Sequence, residues 1–233
     1  MALYLLFVCG ILKSGFFMDI VSSIPYVPDW HNLQLDTVIG FVLGILFAGL
    51  FNAEGQAFTS TILGDQRVGA TDRFHFNAFL HLDTLGTLAF LLGGFGWPRK
   101  IEIDATKFEH PVLYTVITRL SGPVANILFA GIIASMIQLV MTLMGLSPDI
   151  LWGVIAVNVT VAVYNLIPIP PLALGTIWVE LMPESQANLK KWLALAGPWI
   201  IVVVLVYDRI FQVGVFSRYL NPLVVTVYNF IIG

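Results

Sequence analysis

The sequence predicts an all-α polytopic membrane protein with five to six transmembrane helices and a re-entrant or extended segment among them. Three observations carry that prediction. Of 233 residues, 58% are hydrophobic and only 11% are charged, against roughly 45–50% and about 25% in a soluble domain. The apolar residues come in runs matched to a bilayer core of about 30 Å, which takes about 20 residues of helix to cross. One stretch near residue 75 alternates polar with apolar residues, unlike the helical runs around it.

What the composition excludes is also informative. With a net charge of −3 and no basic patch, nothing favours a nucleic-acid partner. The single Cys9 rules out an internal disulfide and a cysteine-based metal cluster. No haem, flavin or dinucleotide motif is present, so no cofactor is expected.

Three segments follow from the hydropathy: an N-terminal apolar or interfacial extension (1–35), a membrane core (36–185) and C-terminal transmembrane helices (186–233). Residues 1–12 are apolar but short for a span, and Lys13 and Ser14 interrupt the run. They lack a basic n-region and a clear cleavage site, which favours a retained segment, spanning or interfacial, over a cleaved signal. Pro25, Pro28 and Asp29 then make a loop, with Tyr26 and Trp30 suited to the headgroup level.

Asp36 to Leu63 is the first full span. Gly40, Gly44 and Gly49 permit close helix packing. Its second half carries Asn52, Glu54, Gln56, Thr59, Ser60 and Thr61, and polar groups unpaired in hydrocarbon cost several kcal/mol. That half must face protein or a water-filled cavity. The alternating residues 73–83 form the extended or re-entrant piece, which survives at membrane depth only when enclosed. A short helix around Leu85 to Leu92 follows, ended by Gly93, Gly94, Gly96 and Pro98. Further spans cover Val112 to Leu146, Leu151 to Ile167, Trp192 to Phe216 and Leu220 to Ile232, and the prolines at 168, 170 and 171 must end one of them. Arg67, Arg73, Arg99, Lys100, Lys107, Lys190 and Lys191 fall on one face of this threading, which the positive-inside rule makes cytoplasmic. The expected location is therefore a bacterial inner membrane, crossed several times.

Five motifs then occur in one order. Asn52-Ala53-Glu54-Gly55-Gln56-Ala57 is followed by Leu63-Gly64-Asp65, then by Asn77, His81, Asp83, Gly86 and Thr87, then by Gly93-Gly94-Phe95-Gly96-Trp97. Gly122-Pro123-Val124-Ala125-Asn126 comes next, and Asn165, Pro168, Pro170, Pro171 and Leu172 close the series. From about Phe47 to Leu181 the chain resembles the site-2 protease family, the M50-type intramembrane zinc metalloproteases, in its short bacterial form. The family's helix carries His-Glu-x-x-His, because two imidazoles four residues apart share a face and bind one zinc while the Glu serves as general base. Those positions are Asn52, Ala53 and Gln56 in this chain, and the family's third ligand, the Asp of Leu-Asp-Gly, is Ala173. The resemblance thus implies a site-2-protease-like core whose three ligands and base are all replaced. On that reading the chain binds no metal and is not an enzyme.

The remaining candidates divide between chemistry and architecture. In the family frame Glu54 points roughly 200° from the face of Asn52, so pairing with a cation or another subunit is favoured over binding metal. His81 matches a family position that is not a ligand and is expected to order the re-entrant loop. Asn126 and Asn165 resemble residues that hold substrate backbone or an oxyanion, and are expected here to bond backbone freed by the proline-rich loop. With Glu54, His81, Pro168 and Pro170 they make up the expected binding groove. Arg119, one turn before Gly122, is expected to snorkel to the surface rather than sit in a buried ion pair. The function expected is a non-catalytic structural or assembly subunit of a larger membrane complex, its partners being lipid and other integral membrane subunits held in the old groove. The alternatives are a client-binding regulator of membrane proteolysis, a divergent metalloprotease with ligands shifted to His75, His81 and Asp83, and a small transporter or lipid- or quinone-binding protein.

Overall fold

The computed structural model describes residues 27–28, 33–66, 76–144 and 148–232. The expectations for residues 1–24, Cys9, Arg67, Arg73 and His75 lie outside the described residues. Within them the protein is all-α: α1 Leu35–Ile62, α2 Thr84–Gly93, α3 Pro111–Met144, α4 Pro148–Tyr164, α5 Ala173–Leu181, α6 Ala187–Phe211 and α7 Ser217–Ile232. Three stretches are long and apolar enough to cross a bilayer: Leu35–Ile62, Pro111–Ile137 and Glu184–Asp208. This is a membrane protein.

Helix α4 is the centre. Val154 to Tyr164 is buried almost without interruption, with Ile155, Ala156, Val157, Val159 and Val161 all fully enclosed. A helix apolar on every side has no face for water and is found inside a larger assembly of helices. Here α1 and α3 cover two flanks and α7 a third. The approach of α1 is set by glycine. A Cβ on Gly40 would lie 2.8 Å from the Ile150 carbonyl oxygen, and one on Gly44 would lie 2.8 Å from the Val157 side chain. Close approach of this kind replaces hydrophobic drive as the source of helix association in lipid. Between α1 and α3, Phe129 stacks on Phe51 at 4.0 Å and tilts against Phe47 at 5.2 Å. At the far side Tyr164 Oη bonds Asn221 Oδ1 at 3.0 Å, and Val224 and Tyr228 are fully buried, fastening α7 onto α4.

The segment read as extended or re-entrant takes a different form where it is described. Ala78–His81 is a single 3₁₀ turn, capped by the Asn77 side chain accepting from the Phe79 N–H. Leu82 makes one isolated antiparallel bridge with Pro98, and the His81 carbonyl accepts from the Arg99 N–H at 2.7 Å. Alternation therefore marks a loop braced against another loop, not a strand. Asp83 caps α2 by accepting from the Gly86 N–H at 2.7 Å, and the same oxygen accepts from Trp97 Nε1 at 3.1 Å.

That brace generates a prediction. A Cβ at Gly86 would sit 2.1 Å from the Trp97 carbonyl oxygen, too close for backbone to tolerate. Alanine is the better helix former by about 1 kcal/mol, yet Gly86→Ala should destabilise, because the 94–100 loop must move and give up its contacts with His81 and Leu82. The expected net loss is about 1–3 kcal/mol, read as a lower thermal midpoint in detergent by intrinsic tryptophan fluorescence.

Candidate functional site

The polar half of α1 meets α3 and α5 in the interior. Asn52 and Gln56 stand one turn apart and therefore share a face. Gln56 Nε2 donates to Asn52 Oδ1 at 2.8 Å. From α3, Arg119 Nη1 donates to Gln56 Oε1 at 2.8 Å and to the Ile101 carbonyl at 2.8 Å. Its Nε donates to Glu180 Oε2 at 2.8 Å, and Nη2 makes a second, shorter bond to Oε1. Lys100 adds to the same carboxylate at 3.0 Å.

Arg119 is only 2% exposed. The expectation of snorkelling is corrected. In place of headgroups, α5 and the 97–101 loop supply its guanidinium with a carboxylate and a carbonyl. A bidentate guanidinium–carboxylate fork is among the stronger polar contacts a protein makes. Burial by itself would raise the Glu180 carboxyl. The hydrogen bond and charge of Arg119, joined by Lys100, outweigh that and hold its pKa below the ordinary carboxylate value.

Beside this network lies a cavity of about 20 Å³, lined in part by Asn52, Gln56, Arg119, Asn165, Ala173 and Thr176. That is room for about one water-sized group. Three of the four positions that the resemblance singles out, Asn52, Gln56 and Ala173, thus converge, while Ala53 is fully buried on another face of α1. Asn165 belongs with them. Its Oδ1 accepts from the Ala173 N–H at 2.9 Å, its Nδ2 donates to the Val161 carbonyl at 2.7 Å, and its carbonyl accepts from the Leu174 N–H. It ties the end of α4 to the start of α5 across the prolines.

The other candidate groove residues stand apart from that cavity. Asn126 Nδ2 bonds the Ala48 carbonyl at 3.1 Å and Asn158 Oδ1 at 3.4 Å, which pins α1, α3 and α4 together. Glu54 Oε1 accepts from the Phe76 N–H and pairs with His81 Nε2, both at 3.1 Å, so this buried pair holds the 3₁₀ turn to α1. Pro170 is buried and Pro168 exposed. Sequence reading missed Glu180 and Lys100. The available signal was Arg119 itself, since a cation inside an apolar helix calls for a carboxylate, and Glu180 is an isolated acid in an otherwise apolar stretch.

A second groove of about 230 Å³ adjoins the cavity and shares Pro98, Lys100 and Pro171 with it. Its outer wall is Leu195 and Trp199 of α6, 72% and 58% exposed. Apolar side chains exposed on α6 therefore stand beside the wall of the polar interior.

Zinc, the metal of the resembled family, does not fit the side chains at the family's ligand positions. Both amide oxygens already accept N–H donors, Ala53 and Ala173 offer no ligand atom, and a guanidinium brings positive charge to the place a cation would need. Of the shifted ligand set, His81 is engaged with Glu54, Asp83 caps α2, and among the described residues no three of His, Cys, Asp and Glu are grouped to hold a metal.

Comparison with known proteins adds one relative. The Bacillus subtilis (strain 168) protein named "Putative zinc metalloprotease YwhC" is 28% identical over 153 residues, covering 62% of this chain and 69% of that protein. This likeness supports a site-2-protease-like family. No family model and no solved structure matches the chain. The relative also corrects an expectation. The expectation that the chain is not an enzyme rested on four side chains alone, and it is overturned by the likeness to a protein named as a zinc metalloprotease.

The ion pair gives two predictions. Glu180→Gln leaves Arg119 buried without its carboxylate and should cost about 3–5 kcal/mol, seen as a lower thermal midpoint. The pair also sets a pH dependence. Because the Glu180 pKa is lower folded than unfolded, its contribution is complete above the unfolded value of about 4.3 and is lost as pH falls through the folded value. The wild-type midpoint should drop in that acid range, and the Glu180→Gln protein should lack that component of the drop.

Proposed function

We propose that this chain is a multi-pass protein of a bacterial cytoplasmic membrane that binds transmembrane segments of other membrane proteins, as a structural or assembly subunit of a larger complex. One observation supports the reading: the groove at Leu195 and Trp199 shares the wall of Pro98, Lys100 and Pro171 with a polar cavity. A segment arriving from lipid has an apolar entrance, and one acceptor that it carries can meet the unpartnered Asn52 amide donor at the cavity. Irregular backbone at membrane depth requires such partners.

The test is site-directed photo-crosslinking in native membranes, followed by purification and mass spectrometry. A crosslinker at Leu195 or Trp199 should capture a defined set of membrane proteins at fixed ratio. The same crosslinker at Leu128, 63% exposed on α3 and outside both grooves, should not. Lipid adducts alone from every position would sink the reading, and many substoichiometric proteins would favour a client-binding regulator.

A second reading, intramembrane proteolysis, is favoured by the name of the Bacillus subtilis relative. It would need catalytic residues outside the set of Asn52, Ala53, Gln56 and Ala173. Cleavage of a reporter transmembrane segment by the purified chain, abolished by a chelator, is the result that would establish it.

A further inference from the structure

The hydrogen bonds around Asn52 have a fixed direction. Arginine has donors and no acceptor, so the amide that meets Arg119 Nη1 at 2.8 Å must present its oxygen, Gln56 Oε1. Gln56 then has only Nε2 to turn toward Asn52, which must answer with Oδ1 at 2.8 Å. Asn52 is left with Nδ2 free. That donor is buried with its residue 1% exposed and has no hydrogen-bond partner, and Asn52 lines the cavity. A buried donor left unmade is a standing cost.

No acceptor lies within hydrogen-bond reach of Nδ2. Asn165 Oδ1 is turned to the Ala173 N–H, and Thr176 Oγ1 to the Pro171 carbonyl. The charge around it is positive. Arg99 and Lys100 are exposed at its mouth, Arg119 forms part of its wall, and Glu180 is shared between Lys100 and Arg119. Ala173 leaves open the space that a longer side chain would fill.

We propose that this cavity is a seat for one oxygen of a carboxylate, received by Asn52 Nδ2 and drawn in by Arg99 and Lys100. The polarity is opposite to that of a cation site. Resting on the reading above, it also names the group a bound segment would present: an acidic side chain or a terminal carboxylate. A free small carboxylate is the other source of the same chemistry.

The test uses the full chain purified in detergent and sodium formate as the probe, with sodium chloride at equal ionic strength as the control. A ligand that binds only the folded state raises the thermal midpoint. Formate should raise it by about 2–4 °C above chloride. Asn52→Leu should abolish that difference. Ala173→Asp should abolish it too, with a higher midpoint in chloride, because the protein then supplies its own carboxylate. That variant decides the matter if Asn52→Leu fails to fold. A wild-type response no greater than with chloride, or one that survives in either variant, overturns the seat. A formate response together with crosslinked segments assigns the seat to a partner's carboxylate. The same response with no segment captured keeps the seat, assigns it to a free carboxylate and discards partner binding.

Discussion

Arg119 is the constraint around which the interior is arranged. A guanidinium fully enclosed by protein must be matched bond for bond, and this one draws on α5 through Glu180, on α1 through Gln56 and on the 97–101 loop through the Ile101 carbonyl. Three elements far apart in sequence are thereby held at one point. A buried ion pair is weak evidence of net stability, since desolvation consumes much of its attraction. Its stronger effect is on geometry, because each partner must hold its place for all three guanidinium nitrogens to be bonded.

The same residue changes the meaning of the sequence around position 52. In a zinc site the paired helix residues would both point lone pairs at a cation. Here a cation already belongs to the protein, and its donors reverse the orientation of each amide in turn. Asn52 and Gln56 therefore do more than stand where the resembled family carries ligands. They belong to a network that uses the amides for what they do well, donating and accepting in a fixed order. This local chemistry sits within a chain that is similar to a protein named as a metalloprotease, so what the surrounding groove does is a separate question from what these side chains hold.

Much of the fold was legible because lipid makes hydropathy a strong signal. The limits of most helices fall within a few residues of those read from apolar runs, but α6 begins and ends earlier than read and α5 was not read as a helix. The polar half of α1 is enclosed as its composition requires. Asn52, Gln56 and Ala173 were legible through motif order, which brings them together whatever the intervening structure. Arg119 was misread because depth and neighbours, not local sequence, decide between snorkelling and pairing, and Glu180 lies 61 residues away with no periodic relation to it. The loop at 78–83 was misread because alternation describes a strand only where a second strand lies beside it. A single bridge to Pro98 gives the same pattern in a turn.

The encasement of α4 bears on how the chain is made. Its flanks are covered by α1 and α3, which precede it in the chain, and by α7, which follows after two further helices. Until α7 has been translated, α4 stands with one side bare and Tyr164 without Asn221. The newly inserted chain is thus incomplete in its core until α7 arrives. A premature stop upstream of Ser217, far from every side chain at the polar cavity, would leave a product marked for membrane quality control rather than a shorter working protein.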